Sequence, residues 1–302
     1  MMVSGLKSAA TSGTAGLAVC ALLFNALVWG VSWWPFRELE RHGLHPLWAT
    51  AIIYTFSLAC LLLVRPYAFR SLRQHRFLWL LAVAAGLSNV GFNWAVTTGD
   101  VVRVVLLFYL MPAWVVLLAW PLLGERPGTA SLSRLALALA GLAIVLKTPD
   151  SPWPVPQSLA DWLALMGGFS FALTNVLLRQ LNQTPAEARI LAMFGGGMVM
   201  AAGVALAGTV MGQIAMPPAS SSAWVGVAAL ISLAFLSGNL ALQYGASRLQ
   251  ASTTSLVMLS EVVFASASSV LLGASQLSAR MLFGGALILL AVLLSATSSQ
   301  AD

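Results

Sequence analysis

The 302 residues are 59% hydrophobic and only 8% charged, with a mean hydropathy of +0.89. So few charges cannot cover a soluble globule of this size, which excludes a water-soluble enzyme or binding module and assigns the chain to a lipid bilayer. The net charge of +6 does not point to nucleic acid, because the basic residues stand between apolar runs without interleaved aromatics and serve as topology signals.

The N-terminal lead is rich in Ser, Thr, Gly and Ala and carries Lys7, but the apolar run from Leu17 to Pro35 is too long for the core of a signal peptide and reads as a first span. A helix needs roughly 20 apolar residues to cross the hydrocarbon. Ten such runs are bounded by breaks rich in Pro, Gly and charge. They cover Leu17 to Phe36, Leu47 to Val64, Phe77 to Thr98, Val101 to Leu123, Ala130 to Thr148, Leu159 to Leu178, Ala188 to Gly212, Ala223 to Tyr244, Ala251 to Gly273 and Met281 to Thr297. The stretch KTPDSPWPVPQS at 147–158 cannot continue a helix through its four prolines. Residues 149–158 are therefore expected to form a joint between a first repeat, 1–148, and a second, 159–302.

The repeat itself is legible in sequence. FYLMPAWVVLLAWPLLGE, Phe108 to Glu125, has a weaker copy in LVMLSEVVFASASSVLLGA, Leu256 to Ala274, at an offset of 149 that sets Pro112 opposite Glu261. Upstream, NWAVTTG with Asn93 and Gly99 answers NLALQYG with Asn239 and Gly245, and VWGVSWWPFR ending at Arg37 overlays SFALTNVLLR ending at Arg179. With the N-terminus inside, the cytoplasmic side collects ten of the fifteen Lys and Arg residues, so both termini are expected to be cytoplasmic. Five spans is an odd number, so the second repeat enters the membrane in the opposite sense to the first. The expected fold class is an all-α integral membrane protein of ten transmembrane helices, two inverted five-helix repeats around a central cavity, as alternating-access transporters are built. Gly167-Gly168, Gly195 to Gly197 and Gly284-Gly285 suit close helix packing.

The polar residues inside these spans are few. Glu261 is an acid near the centre of a span, where a carboxylate must face water, a ligand or a partner, or else stay protonated on a neighbouring Ser or Thr. Pro112 frees the Phe108 carbonyl in mid-membrane, which kinks the helix beside Tyr109 and Met111 into either a gate or a plain bend. Asn89 and Asn93 share one helix face, as do Asn239 and Gln243, and amides in lipid point to the bundle interior either as a cavity or as interhelical hydrogen bonds. Trp29 and Trp33 lie one turn apart with Phe171 opposite by the repeat overlay, and Thr174 and Asn175 follow one turn after Phe171. His42, His45 and His75 lie in loops, and neither a catalytic set nor a metal triad can be assembled. No enzyme activity and no cofactor or metal is expected. Cys20 and Cys60 fall in spans as small apolar side chains.

Ten spans, two five-span repeats and the P-x(11)-G-E pattern of Pro112, Gly124 and Glu125, with Trp29-Gly30 in the first span, resemble the drug/metabolite transporter superfamily in its EamA-type bacterial members. The second half departs from that pattern, with Glu261 in place of the usual proline and Ala274 in place of the closing glutamate. Within the family, Tyr109 before Leu110-Met111-Pro112 and the pair Ser88-Asn89 look like the aromatic amino acid exporter group, although Met111 and Phe171 stand where tryptophan would be expected there. The resemblance implies export of amino acids, aromatic and other neutral ones, across a bacterial inner membrane through a cavity between spans one, three, four, six, eight and nine. The expected partners are the small-molecule substrate and the lipid, not nucleic acid, and the sequence leaves monomer and oligomer both open. The rivals are a multidrug or other metabolite exporter of the same fold, with Glu261 binding a cation or proton, and a non-transporting scaffold or receptor.

Overall fold

Local chemistry marks where helices begin. His45 precedes Pro46, and its ring Nδ1 accepts a hydrogen bond from the Leu47 amide at 3.2 Å, while Pro46 occupies a first-turn position that needs no N–H. Ser158 and Asp161 cap each other's backbone amides reciprocally, at 3.2 and 3.0 Å, a capping box with Asp in place of the usual Glu. The computed structural model describes residues 2–98, 101–146, 156, 158–219, 222–273 and 278–298. They form α1 (Met2–Arg41), α2 (Pro46–Val64), α3 (Ala68–Gln74), α4 (Arg76–Thr98), α5 (Val101–Phe108), α6 (Met111–Leu123), α7 (Thr129–Leu146), α8 (Leu159–Gln180), α9 (Ala186–Val210), α10 (Ser222–Ala246), α11 (Ala251–Met258), α12 (Ser260–Leu271) and α13 (Ala279–Ser298). Apart from residues 156 and 158, the joint expected at 149–158 lies outside the described residues, as does Ala274.

Among the described residues seven helical stretches are long and apolar enough to cross a membrane, and Met111–Leu123, Thr129–Val145 and Leu282–Ser295 are shorter apolar helices. The outer surface agrees with lipid rather than water: Leu63 is 84% exposed and Leu271 85%. The short α3 occupies a segment that the apolar pattern leaves as a loop.

The fourth span of each repeat is broken, in the first where Pro112 leads a kink to be expected and in the second where a continuous helix is expected. In the first, α5 stops at Phe108 and α6 restarts at Met111, because Pro112 has no N–H to bond the Phe108 carbonyl. In the second, a break falls at Leu259, one residue before Ser260, at the position matching Leu110 under the 149-residue offset. No proline causes it. There the backbone tightens into i to i−3 hydrogen bonds, Leu259 to Leu256 and Val262 to Leu259, both 3.1 Å. The Ser260 hydroxyl also donates to the Val257 carbonyl at 2.7 Å, an alternative to the regular ladder. Gly124 and Gly273, equivalent under the same offset, both close their helices at positive φ, 73° and 68°.

The two repeats interlock instead of packing as separate bundles. α4 lies against α8 and α9, and its counterpart α10 lies against α1 and α2; α6 packs on α8 as α12 packs on α1. Exchanging the repeats reproduces these neighbours, which is a pseudo-twofold relationship. Close to that axis α7 crosses α13, where a Cβ on Gly141 would lie 2.7 Å from the Gly284 carbonyl oxygen and one on Gly284 2.6 Å from that of Gly141. Only glycine at both positions lets the backbones meet, the small-residue solution to packing where lipid supplies no hydrophobic drive. Gly167, Gly168, Gly196 and Gly197 likewise press on neighbouring helices, whereas Gly195 faces open space.

Candidate functional site

A cavity of about 80 Å³ lies between the repeats, several times the roughly 10–15 Å³ that a single water requires. Its walls carry Trp29 from α1, Tyr54 from α2, Ser88, Asn89, Phe92 and Asn93 from α4, and Phe108 from α5. The second repeat adds Phe171 and Thr174 from α8, Met193 and Phe194 from α9, Asn239 and Leu242 from α10, and Glu261 from α12. Both repeats therefore supply aromatic and polar groups to one chamber.

The aromatic walls are held by one another. Trp29 stacks on Phe235 with ring centroids 4.2 Å apart, Phe108 on Phe171 at 5.9 Å, and Tyr54 meets Phe194 edge to face at 4.8 Å. Such contacts add about 0.5–1.5 kcal/mol each beyond area burial and fix ring orientation.

The polar groups form three small systems. The Tyr54 hydroxyl donates to Asn89 Oδ1 at 2.7 Å, and Asn89 Nδ2 donates to the Ala85 carbonyl at 2.8 Å. Asn93 Nδ2 donates to Thr50 Oγ1 at 2.6 Å. On the other side Gln243 Nε2 donates to Asn239 Oδ1 at 2.8 Å, and Asn239 Nδ2 approaches Met193 Sδ at 3.6 Å. Gln243 Oε1 and Asn175 Oδ1 are buried without a hydrogen-bond partner in the protein, unusual for amide oxygens and a reserve of acceptors next to the chamber.

Each break in a fourth span meets the opposite repeat. Tyr109, in the break between α5 and α6, hydrogen-bonds the carboxyl of Glu261, which opens α12 past the other break. Asn175 Nδ2 reaches Met111 Sδ at 3.5 Å, and Asn25 Nδ2 reaches Met258 Sδ at 3.4 Å. Gly30 is explained by the same meeting, since a Cβ there would lie 2.7 Å from the Glu261 carbonyl oxygen and 2.8 Å from Phe264 Cβ. Trp29 thus faces the chamber while Gly30 lets α1 close on α12.

Of the residues singled out in sequence, Trp29, Asn89, Asn93, Phe171, Thr174, Asn239 and Glu261 line the chamber. Tyr109, Met111, Pro112, Asn175 and Gln243 are buried behind that lining. Trp33 stands apart: its indole N–H donates to Ser268 Oγ at 2.9 Å, further along α12 than Glu261. Tyr54, Met193 and Phe194 were missed, so α2 and α9 join the spans expected to form the wall. Thr50 and Tyr54 repeat at a spacing of four on an apolar helix, the signal that marked Asn89 and Asn93. Among the described residues no group of three His, Cys, Asp or Glu side chains could hold a metal ion.

Apolar helices in two interlocked copies, with broken helices meeting beside a partly polar chamber, define a multi-pass membrane transporter. The pattern of the EamA-like transporter family matches residues 16–147 and again 158–297, and the chain belongs to this family of the drug/metabolite transporter superfamily. A solved crystal structure, described simply as that of a protein, is similar over 93% of this chain and 98% of its own, at 21% identity and a TM-score of 0.74, a likeness of fold. No curated protein matches the chain in sequence.

Proposed function

We propose that the protein is a secondary transporter that exports amino acids, aromatic and other neutral ones, from the bacterial cytoplasm. The two repeats would lie inverted in the inner membrane with both termini cytoplasmic, and rock about the chamber to expose it to each side in turn. The observation that carries this reading is the lining: aromatic rings from both repeats beside amides, a threonine hydroxyl and one carboxyl. Trp29, Phe108 and Phe171 suit an apolar side chain, the Asn239 amide a substrate carboxylate, and Glu261 an ammonium group. At about 80 Å³ the chamber is tight for an amino acid, so loading would go with a shift of the walls.

Exchange of radiolabelled L-phenylalanine in proteoliposomes preloaded with the unlabelled amino acid tests the proposal. Uptake above empty liposomes that falls at least tenfold in Asn239→Ala supports it; equal uptake by both proteins removes the site. The carboxyl in an aromatic chamber favours one further reading, export of lipophilic cations, which competition by tetraphenylphosphonium would reveal.

A further inference from the structure

We propose that a second cavity, where α6 ends and α7 and α11 begin, is a binding site for an anionic phosphate group such as a lipid headgroup carries. It shares no lining residue with the chamber between the repeats, so the proposal goes beyond the transporter reading and does not depend on the cargo.

The cavity measures about 470 Å³, against about 80 Å³ for the chamber, and falls within the roughly 300–1,000 Å³ of small-molecule sites. Two guanidinium groups line it, Arg126 from the turn between α6 and α7 and Arg134 from α7, together with the hydroxyls of Ser131 and Ser252 and the amide of Gln250. Arg134 is held in place, because its Nη1 donates to the Leu294 carbonyl on α13 at 3.0 Å. Arg126 is exposed and has no ion-pair partner among the described residues. Glu125 also lines the cavity, and its charge opposes an anion. Its oxygens are engaged elsewhere, however: Oε2 accepts the Ala251 amide at 3.0 Å and Oε1 pairs with Arg179 at 3.6 Å. The positive end of α11 is therefore already served by Glu125, and the two arginines carry the site.

The donor set selects the ligand. A guanidinium fork matches two oxygens of a phosphate at once, and hydroxyl and amide donors can meet the others. The surroundings point to lipid as the carrier. Val116 and Ala119 of α6 line the cavity, and on the adjoining stripe of the same helix Leu117 and Trp120 are 60% and 56% exposed. A tryptophan on the outer face near a span end lies at headgroup depth, where basic pockets between membrane helices take anionic headgroups. A phosphocholine headgroup fits less well, since its own cation would be brought up to the arginines.

The test is a set of thermal melts of the purified full-length protein in a neutral detergent, with added dioleoylphosphatidylglycerol, dioleoylphosphatidylcholine or sodium phosphate, at one ionic strength set with sodium chloride. Phosphatidylglycerol should raise the midpoint progressively with the logarithm of its concentration, and phosphatidylcholine should not. An equal rise with sodium phosphate would support the site and make the free anion its ligand. Arg126→Gln should remove at least half of the shift, and the double variant Arg126→Gln, Arg134→Gln all of it. Arg70→Gln with Arg73→Gln, which takes the same charge from exposed positions on α3, should keep the full shift. No shift with either phosphatidylglycerol or phosphate, an equal shift with phosphatidylcholine, a shift unchanged in Arg126→Gln, or an equal loss in the α3 variant would each overturn the proposal. Arg126 is exposed, so that single variant decides the matter even if Arg134→Gln fails to fold.

Discussion

The hydroxyl of Tyr109 and the carboxyl of Glu261 meet across the two repeats, each at the break in its own fourth span. A hydrogen bond between buried groups is felt most when one partner is lost, because the other is left enclosed and unpaired. Tyr109→Phe should therefore lower stability by about 1–3 kcal/mol, read as the unfolding midpoint in detergent. In a double-mutant cycle with Glu261→Gln the losses should not add, with a coupling of roughly 0.5–3 kcal/mol. Additive losses would mean that the two groups act separately.

The crossing of α7 and α13 gives a cleaner packing test, since the two glycines meet backbone to backbone. Gly141→Ala places a methyl 2.7 Å from the Gly284 carbonyl oxygen and 3.0 Å from Leu287 Cβ, neither of which is a flexible end that can step aside. Overpacking of this kind costs about 1–3 kcal/mol. At Gly195 an added Cβ meets nothing, and glycine in a helix interior is about 1 kcal/mol worse than alanine. Thermal melts in one detergent should move in opposite directions for the two variants.

His45 supplies a pH-dependent cap. Burial depresses its ring below its ordinary value of 6.5, and the nearby Glu40 carboxylate offsets this only in part. The neutral ring accepts the Leu47 amide hydrogen; the protonated ring cannot. As pH falls through 6.5 the unfolded chain takes up the proton first, so the stability His45 gives is fully present above that value and is lost as pH falls towards its lowered folded value. His45→Ala should cost about 1 kcal/mol at pH 8 and much less at pH 5. His45→Asn should retain the cap without the pH dependence.

Those contacts also show what a linear reading reaches. Spacing found Asn89, Asn93, Asn239 and Gln243 because polar side chains four apart on an apolar helix must share a face, and it found the break at Pro112 because proline lacks a donor. It did not find the break at Leu259, which arises from i to i−3 bonding and a serine hydroxyl without a proline. Nor could it find Tyr54 or Phe194, whose place in the wall depends on how α2 and α9 pack across the repeat interface. Trp33 went astray for the complementary reason. Its spacing from Trp29 is right for a shared face, but Ser268 draws its indole along α12, away from the chamber. The meaning of Gly30 and of Gly124-Glu125 was equally hidden, since each is defined by a contact with the other half of the chain.

Gly124-Glu125 carries the last prediction. Gly124 ends α6 in the left-handed region, with its N–H on the Trp120 carbonyl and that of Glu125 on the Ala119 carbonyl, a left-handed helix closure that favours glycine. The chain so turned brings the Glu125 carboxylate to the second repeat. It accepts the Ala251 amide at 3.0 Å and pairs with Arg179 at 3.6 Å. Gln250, the cap residue of α11, makes no side-chain cap hydrogen bond, so Glu125 supplies an anion at that positive helix end. Arg179 in turn donates to the Ser247 carbonyl at 2.8 Å, tying α6, α8, α10 and α11 together at one end of the bundle. Burial nevertheless holds Glu125 above its ordinary 4.5, outweighing the Ala251 amide and Arg179. The folded state therefore keeps this proton more tightly than the unfolded one, and stability falls as pH rises from about 4.5 through the raised folded value. Glu125→Gln should remove that slope from a series of melts between pH 4 and 7. Arg179→Ala should loosen the same corner, so hydrogen exchange at the Ala251 amide should accelerate at least tenfold while peptides from α7 and α13 stay unchanged. A uniform acceleration across the chain would instead mean that Arg179 supports the whole bundle and that no local clasp exists.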